Sequence, residues 1–210
     1  MVPLIEAGQT VLFQGDSITD AGRNREDGNH LGFGYANMAA AWYSALHPEM
    51  KVTFLNRGIS GNRAHDLVKR WDEDCIDLQP DWVSILIGIN DVWRRYDNDD
   101  PTSAEDFERD YTDILQRTRE NTDARLILCE PFVLHTAPDR EAWREDLDPK
   151  IEVVSHLAKE FGAMYVSFDW LFAAAAAKRQ PAFWAHDGVH PTQPGHALMA
   201  QAWLRALRVM

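Results

Sequence analysis

Four short segments of this chain carry the residue types from which hydrolytic sites are built. They are Gly15-Asp-Ser-Ile-Thr-Asp20, Asn56-Arg-Gly-Ile-Ser-Gly-Asn62, Gly88-Ile-Asn-Asp91 and Asp187-Gly-Val-His-Pro191. An aspartate three residues before a histidine can, in a tight turn, bring its carboxylate to the imidazole, fix the tautomer and stabilise the imidazolium. The other ring nitrogen is then free to take a proton from a serine hydroxyl. Ser17 is the candidate nucleophile, His190 the candidate general base and Asp187 the group that orients it. Blander roles compete: Ser17 as a helix N-cap, Asn90 as a turn residue, and His190 with His186 and His196 as a metal cluster. His186 and His190 have i, i+4 spacing, but Pro191 stops a continuous helix there and no H-E-x-x-H is present, so no metal is expected.

These segments need elements to position them. Thr10-Val-Leu-Phe13, Lys51-Val-Thr-Phe-Leu55, Trp82-Val-Ser-Ile-Leu-Ile87, Arg125-Leu-Ile-Leu-Cys129 and Met164-Tyr-Val-Ser-Phe168 are short apolar runs and read as strands buried on both faces. Helical spacing separates them. Leu67, Val68, Trp71 and Cys75 share a face, as do Phe107, Tyr111, Ile114 and Leu115, and Ile151, Val154, Leu157 and Phe161. Ser103 with Asp106 predicts an N-terminal cap, Gly162 a helix stop, and a last helix runs from about Thr192 towards Leu207 with Pro194 in its first turn. The Ala173–Ala177 run reads as helix and the acidic Asp97–Pro101 stretch as a solvated loop. Strands alternating with helices predict an α/β fold: a three-layer α/β/α sandwich on a five-stranded parallel sheet, flavodoxin-like, in the order 2-1-3-4-5. In such a sheet ligands bind outside the carboxyl ends of the strands where the order reverses, between strands 1 and 3. The first three segments follow strands 1, 2 and 3.

Composition narrows the classes. The chain has 210 residues, 45% hydrophobic and 26% charged, with no repeat or linker-like tract, and reads as one domain over residues 1–210. No apolar run approaches the roughly 20 residues that a membrane helix needs. The start, Met1-Val-Pro-Leu-Ile-Glu6, has no basic region and too short an apolar stretch for a signal peptide, so a cytoplasmic location is expected. Cys75 and Cys129 are the only cysteines, which leaves no disulfide framework and no four-thiolate zinc site; both read as inert core thiols. A net charge of −12 argues against a nucleic-acid partner, because counterion release needs a basic face. The number of copies in an assembly is not encoded at this level, and a homo-oligomer stays open.

Taken together, the four segments resemble those of the SGNH (GDSL-type) hydrolases. The markers fall in chain order as Ser17, Gly61, Asn90 and His190, with Ile18 where the family name has leucine. The tract Pro80-Asp-Trp-Val-Ser-Ile-Leu-Ile-Gly-Ile-Asn-Asp-Val-Trp-Arg-Arg-Tyr-Asp97 looks more particularly like the bacterial intracellular acetylxylan esterases of that family. The resemblance implies an SGNH hydrolase fold and a serine esterase that needs no cofactor, with an oxyanion hole made of the Ser17 and Gly61 N–H groups and the Asn90 amide. Its substrate would be an acetylated sugar, such as a short xylo-oligosaccharide, or another small ester. Position 61 must let backbone approach the substrate closely, which glycine does without steric cost.

Of the eight tryptophans, Trp71, Trp82 and Trp203 sit on apolar faces and read as core. Trp93 and Trp184 flank the third and fourth segments, where they are expected to line the crevice as sugar-stacking rings or simply to pack. Within the class a general short-chain carboxylesterase, a lysophospholipase and a thioesterase are the rivals, because the four segments build machinery and not an acyl pocket. From another class, a metallophosphoesterase is weakly suggested by Gly15-Asp16, Gly28-Asn-His30 and Gly195-His196, but the order is wrong and strand 1 lacks Asp-x-His. A carbohydrate-binding module without catalysis is disfavoured by the full Ser, His, Asp and Asn set.

Overall fold

The structure, a computed structural model, describes residues 3–210. At its centre are β1 (Thr10–Gly15), β2 (Thr53–Asn56), β3 (Trp82–Leu86), β4 (Arg125–Cys129) and β5 (Met164–Val166). They form one parallel sheet in the order β2-β1-β3-β4-β5. The α-helices are α1 (Ser17–Asp20), α2 (Tyr35–Leu46), α3 (Ala64–Asp74), α4 (Ile89–Asp97), α5 (Ala104–Asn121), α6 (Asp139–Ala142), α7 (Arg144–Glu160), α8 (Phe168–Ala176) and α9 (Gln193–Ala206). This is the expected three-layer α/β/α sandwich with flavodoxin-like strand order. Among the described residues no helix is long and apolar enough to cross a membrane.

Both faces of the sheet are covered, which is why the strands are continuous apolar runs. Alternate side chains of a strand point to opposite faces. Val11 and Phe13 therefore join a cluster with Tyr35 of α2, Phe172 of α8 and Trp203 of α9, while Leu12 joins another with Trp71 of α3, Tyr111 of α5 and Leu157 of α7. Two buried indole N–H groups find acceptors, one in each layer. Trp203 Nε1 donates to Ser84 Oγ on β3 at 3.0 Å, and Trp71 Nε1 donates to Thr118 Oγ1 on α5 at 2.9 Å.

Several element limits differ from expectation, each for a local reason. β1 continues to Gly15, paired with Leu86 across the sheet, and β2 is Thr53–Asn56, not 51–55, because it pairs residue for residue with Thr10–Phe13. β5 stops at Val166, since Phe168 already starts α8, and Cys75 is the buried residue that ends α3. The segment Gly88–Asp91, read as a loop, is the start of α4: Gly88 is the N-cap and Asn90 and Asp91 lie in the first turn. The Ser103 cap forms as expected, its hydroxyl accepting the Asp106 N–H at 3.0 Å.

The two indole bonds set a stability test. Ser84→Ala and Thr118→Val each strand an indole N–H in a dry core, a loss of about 1–3 kcal/mol. The expected result is a lower urea midpoint with an unchanged m-value; an unshifted midpoint for both would remove these bonds from the account of how the layers dock.

Candidate active site

The carboxyl end of β1 is where the segments meet. A Cβ at Gly15 would collide with the Leu86 carbonyl on β3, so the two strands approach this closely only because residue 15 is glycine. Asp16 Oδ1 then accepts the Ile18 N–H at 2.9 Å and turns the chain into the one-turn α1. Ser17 is partly exposed while its neighbours Asp16, Ile18, Thr19 and Asp20 are buried. Burial pushes the Asp16 carboxyl up to about 7, against the Ile18 N–H bond and the field of His190, which both favour the anion.

The second segment climbs the same strand. Arg57 N donates to Phe13 O at 2.8 Å and Ile59 N to Gly15 O at 3.0 Å, so the chain keeps pairing with β1 beyond the end of β2. It then delivers Gly61 at φ +87°, a conformation that residues with a Cβ seldom take. The third segment reaches across from α4. Asn90 Nδ2 donates to Asn62 O at 3.0 Å, and the buried Asp91 carboxylate accepts the Ala64 N–H at 3.2 and 3.3 Å. Among the described residues neither the Ser17 N–H nor the Gly61 N–H donates to another protein group. An Asn90 amide with one hydrogen on Asn62 O has its other free.

The fourth segment is a tight turn anchored on both sides. Asp187 Oδ1 accepts the N–H groups of Val189 at 2.9 Å and His190 at 2.8 Å, and Asp187 Oδ2 lies 2.7 Å from His190 Nδ1. The Gly188 carbonyl accepts the Leu134 N–H at 2.8 Å, and Thr192 caps α9 immediately after the turn. With Nδ1–H donating to the carboxylate, Nε2 accepts the Ser17 hydroxyl, 2.8 Å away. Burial would raise the Asp187 carboxyl, but the His190 ring and the two backbone N–H groups outweigh it and hold it well below the usual carboxylate range. The Asp187 bond in turn lifts His190 above its ordinary value, against its own burial. The result is a continuous hydroxyl–imidazole–carboxylate chain whose three residues all stay partly exposed.

The structure brings Ser17, Gly61, Asn90, Asp187 and His190 to this one edge, and Trp93 with them: its ring centre lies 5.8 Å from that of His190 and 5.4 Å from that of Trp143. Trp184, for which stacking on a sugar and simple packing were both open, is held by its indole nitrogen. Its indole N–H is spent on the carbonyls of Ala175 at 3.1 Å and Arg179 at 3.2 Å, which ties the ring to the end of α8. His196 is also occupied locally, since its Nδ1 accepts the Tyr35 N–H at 3.1 Å and so caps α2, whose N-cap Gly34 has no side chain to do so. Burial holds His196 down at about 4, with His190 adding to the effect. Among the described residues no group of three or more His, Cys, Asp or Glu is arranged to hold a metal ion. Both thiols are pushed up to about 12 by burial and stay protonated.

Two arginines went unnoticed in the sequence. Arg140 Nε donates to Asp187 O at 3.0 Å while its guanidinium stacks 4.0 Å from the Trp143 ring centre, and Arg70 joins four pieces of the crevice floor. Only Arg70 left a trace, the i, i+4 spacing to Asp74.

A parallel sheet with this constellation at its switch point defines a hydrolase of three-layer α/β architecture, and comparison with known proteins supplies the family. The model of the GDSL-like lipase/acylhydrolase family matches residues 13–198. The chain belongs to that family and is a carboxylic ester hydrolase. An acetylxylan esterase from Geobacillus stearothermophilus is 36% identical over 211 residues, covering 97% of this chain and 95% of that one. Among solved structures, a GDSL-like lipase from Parabacteroides merdae superposes with a TM-score of 0.94 at 35% identity, over 98% of both chains. A variant of the Geobacillus acetyl-xylooligosaccharide esterase superposes with a TM-score of 0.90 at 36% identity, over 97% and 95% of the two chains.

The Asp187–His190 pair predicts a pH profile. If His190 is the base that takes the Ser17 proton, only its neutral form can do so, and kcat/KM should rise with pH through an ionisation lying above the ordinary histidine value of about 6.5. Asp187→Asn removes the neighbour that raises it, so the midpoint should move down while the plateau rate falls. A midpoint unmoved by Asp187→Asn would assign the orienting carboxylate elsewhere.

Proposed function

We propose that this single-domain chain removes O-acetyl groups from carbohydrates, acting on short acetylated xylo-oligosaccharides by acyl transfer through Ser17. The observation that carries the reading is the unbroken chain of hydrogen bonds from Ser17 Oγ through His190 to Asp187. Ser17 Oγ attacks the acetyl carbonyl carbon while His190 Nε2 takes the hydroxyl proton, and Asp187 stabilises the imidazolium. The carbonyl oxygen, now anionic, is met by the Ser17 and Gly61 N–H groups and the free hydrogen of the Asn90 amide. Each such donor is worth about 2.7–4 kcal/mol in the transition state. His190 returns the proton to the departing sugar oxygen, and a water activated by the same ring then releases acetate and restores Ser17.

Three further observations support it. Solved structures of the Geobacillus esterase include catalytic variants in which a serine, a histidine or an aspartate is replaced by alanine, the same three residue types that form the chain here. That relative is described as an acetylxylan and acetyl-xylooligosaccharide esterase, which favours sugar acetates over the lipid and thioester substrates of other members. Trp93 offers a flat apolar face beside His190, backed by Trp143, on which a sugar ring can stack while its hydroxyls face water. A ring that close to the base is expected to crowd a long acyl chain more than an acetyl group.

Three experiments test this reading. A serine-directed fluorophosphonate should label Ser17 and abolish hydrolysis, Ser17→Ala should be inactive and unlabelled, and a strong chelator should change nothing. Chelator inhibition reversed by zinc or manganese would instead support metal-dependent phosphoester chemistry. Across acyl esters of increasing length kcat/KM should fall steeply beyond about four carbons, an order-of-magnitude limit set by pocket crowding; faster turnover of octanoyl than of acetyl esters would favour a lipase or thioesterase. Trp93→Ala should raise KM for acetylated xylo-oligosaccharides by roughly tenfold, the worth of about 1.4 kcal/mol of stacking, and leave a small aryl acetate nearly unaffected. Equal losses on both substrates would make Trp93 a packing residue.

A further inference from the structure

Gly61 poses a positional problem that its own residue type cannot solve. Glycine is the most permissive residue of the backbone, this one is exposed at φ +87°, and nothing lies within 4 Å of where a Cβ would sit. An N–H that must meet a developing oxyanion within a few tenths of an ångström has to be held from its flanks.

We infer that Asp20 and Asp91 are positioning residues for that N–H, carboxylates from the first and third segments that grip the chain on either side of Gly61, at Ser60 and at Ala64. The inference rests on the oxyanion role proposed above for Gly61. On one side Asp20 Oδ2 accepts both the N–H and the hydroxyl of Ser60, each at 3.1 Å. Asp20 is itself fixed: Arg25 Nη2 donates to the same oxygen at 2.7 Å, and Arg23 N donates to Oδ1 at 3.1 Å. On the other side both oxygens of Asp91 take the Ala64 N–H. That N–H opens α3, where the free donors and the positive end of the helix favour a carboxylate.

Between the two grips, Asn62 is held through its carbonyl by the Asn90 amide and through its side chain by Arg70 Nε at 2.9 Å. Asn90 and Asp91 are consecutive in the first turn of α4, so one rigid turn fixes both an oxyanion donor and the far flank of the other. Both carboxylates are almost wholly withdrawn from water, Asp20 at 4% and Asp91 at 0% exposure, where a loose side chain would be costly. Burial raises Asp91 to about 7 even with Lys150 and Arg63 nearby, whereas Arg25 and the Ser60 donors overcome burial and hold Asp20 below the usual range.

The test compares Asp20→Ala and Asp91→Ala with Asp20→Asn and Asp91→Asn, which keep an acceptor of the same shape. Turnover of an aryl acetate is expressed per Ser17 titrated with a fluorophosphonate, so unfolded protein does not count. Each alanine variant should lose about tenfold to hundredfold in kcat with KM within about twofold, the signature of an interaction felt in the transition state. Inhibition by a small alkylboronic acid, whose adduct on Ser17 puts an oxygen in the oxyanion site, should weaken in parallel. The asparagine variants should recover most of both. Asp91→Ala combined with Asn90→Ala should lose less than the product of the single losses, because both act through one turn.

Normal kcat per titrated site in both alanine variants, or fully multiplicative losses with Asn90→Ala, overturns the inference. If either alanine variant fails to fold, its asparagine and serine counterparts decide by the same kcat and boronate readings. Should Ser17→Ala remain active, the proposed function fails and not merely this part of it.

Discussion

A single guanidinium holds the floor of the crevice together. Arg70 reaches from α3 to Gln14 Oε1 at 3.0 Å, the carbonyl of Gly15 at 3.3 Å, the carbonyl of Arg57 at 2.8 Å, Asn62 Oδ1 at 2.9 Å and its own helix neighbour Asp74 at 2.8 Å. These acceptors belong to the end of β1, to the chain leaving β2 and to the loop that carries Gly61. Two parallel strands stop here and their backbone groups have no further strand to pair with, so a half-buried cation with five donors is an economical way to satisfy them. Burial works against the charge on Arg70 and Asp74 works for it. Such a pairing stabilises only while complete, since removing one partner leaves the other stranded, so the loop geometry depends on every contact at once.

Around that floor the fold sets the same side chain to opposite ends of its titration range. Asp16 and Asp91 sit where water is excluded and are pushed up to about 7, whereas Asp187, half-buried with three donors aimed at it, is held well below its usual range. The difference is not depth alone but the number of N–H groups turned towards each carboxylate. In the proposed cycle only Asp187 needs to be an anion at every pH at which the enzyme works. The −12 net charge of the chain therefore says little about the potential at the site, which is governed by a few oriented donors.

What was legible in the sequence was local. The D-x-x-H turn closes within four residues and its chemistry follows from spacing, and strands buried on both faces announce themselves as apolar runs. α2 was missed because apolar residues lie on all its sides: Tyr35, Ala36, Ala39, Ala40 and Tyr43 are buried, but Trp42 and Leu46 are exposed, so no polar stripe marks one face. Gly88-Ile-Asn-Asp91 has turn composition, yet the same residues suit a helix start, and only the pairing of Asp91 with Ala64 decides between them. Long side chains were the least readable. Arg140 and, beyond its Asp74 neighbour, Arg70 find their partners through tertiary approach, so neighbouring positions in the chain carry no trace of those contacts. Trp93 and Trp184 look equivalent by proximity to the motifs; in the structure Trp93 lies against His190 and Trp143, while the Trp184 indole is tied to the end of α8.

The capping of α2 by His196 has a kinetic side. An imidazole whose Nδ1 must accept the Tyr35 N–H, and which is held near 4, is a poor resting place for a proton. It is nonetheless close enough to His190 for the two to repel when charged. During the proposed acyl transfer His190 carries a borrowed proton for the lifetime of the tetrahedral species, and a second histidine of ordinary basicity nearby would offer that proton an exit. In that proposed cycle a His196 whose Nδ1 is tied to the start of α2, and which burial keeps neutral, does not compete for the proton.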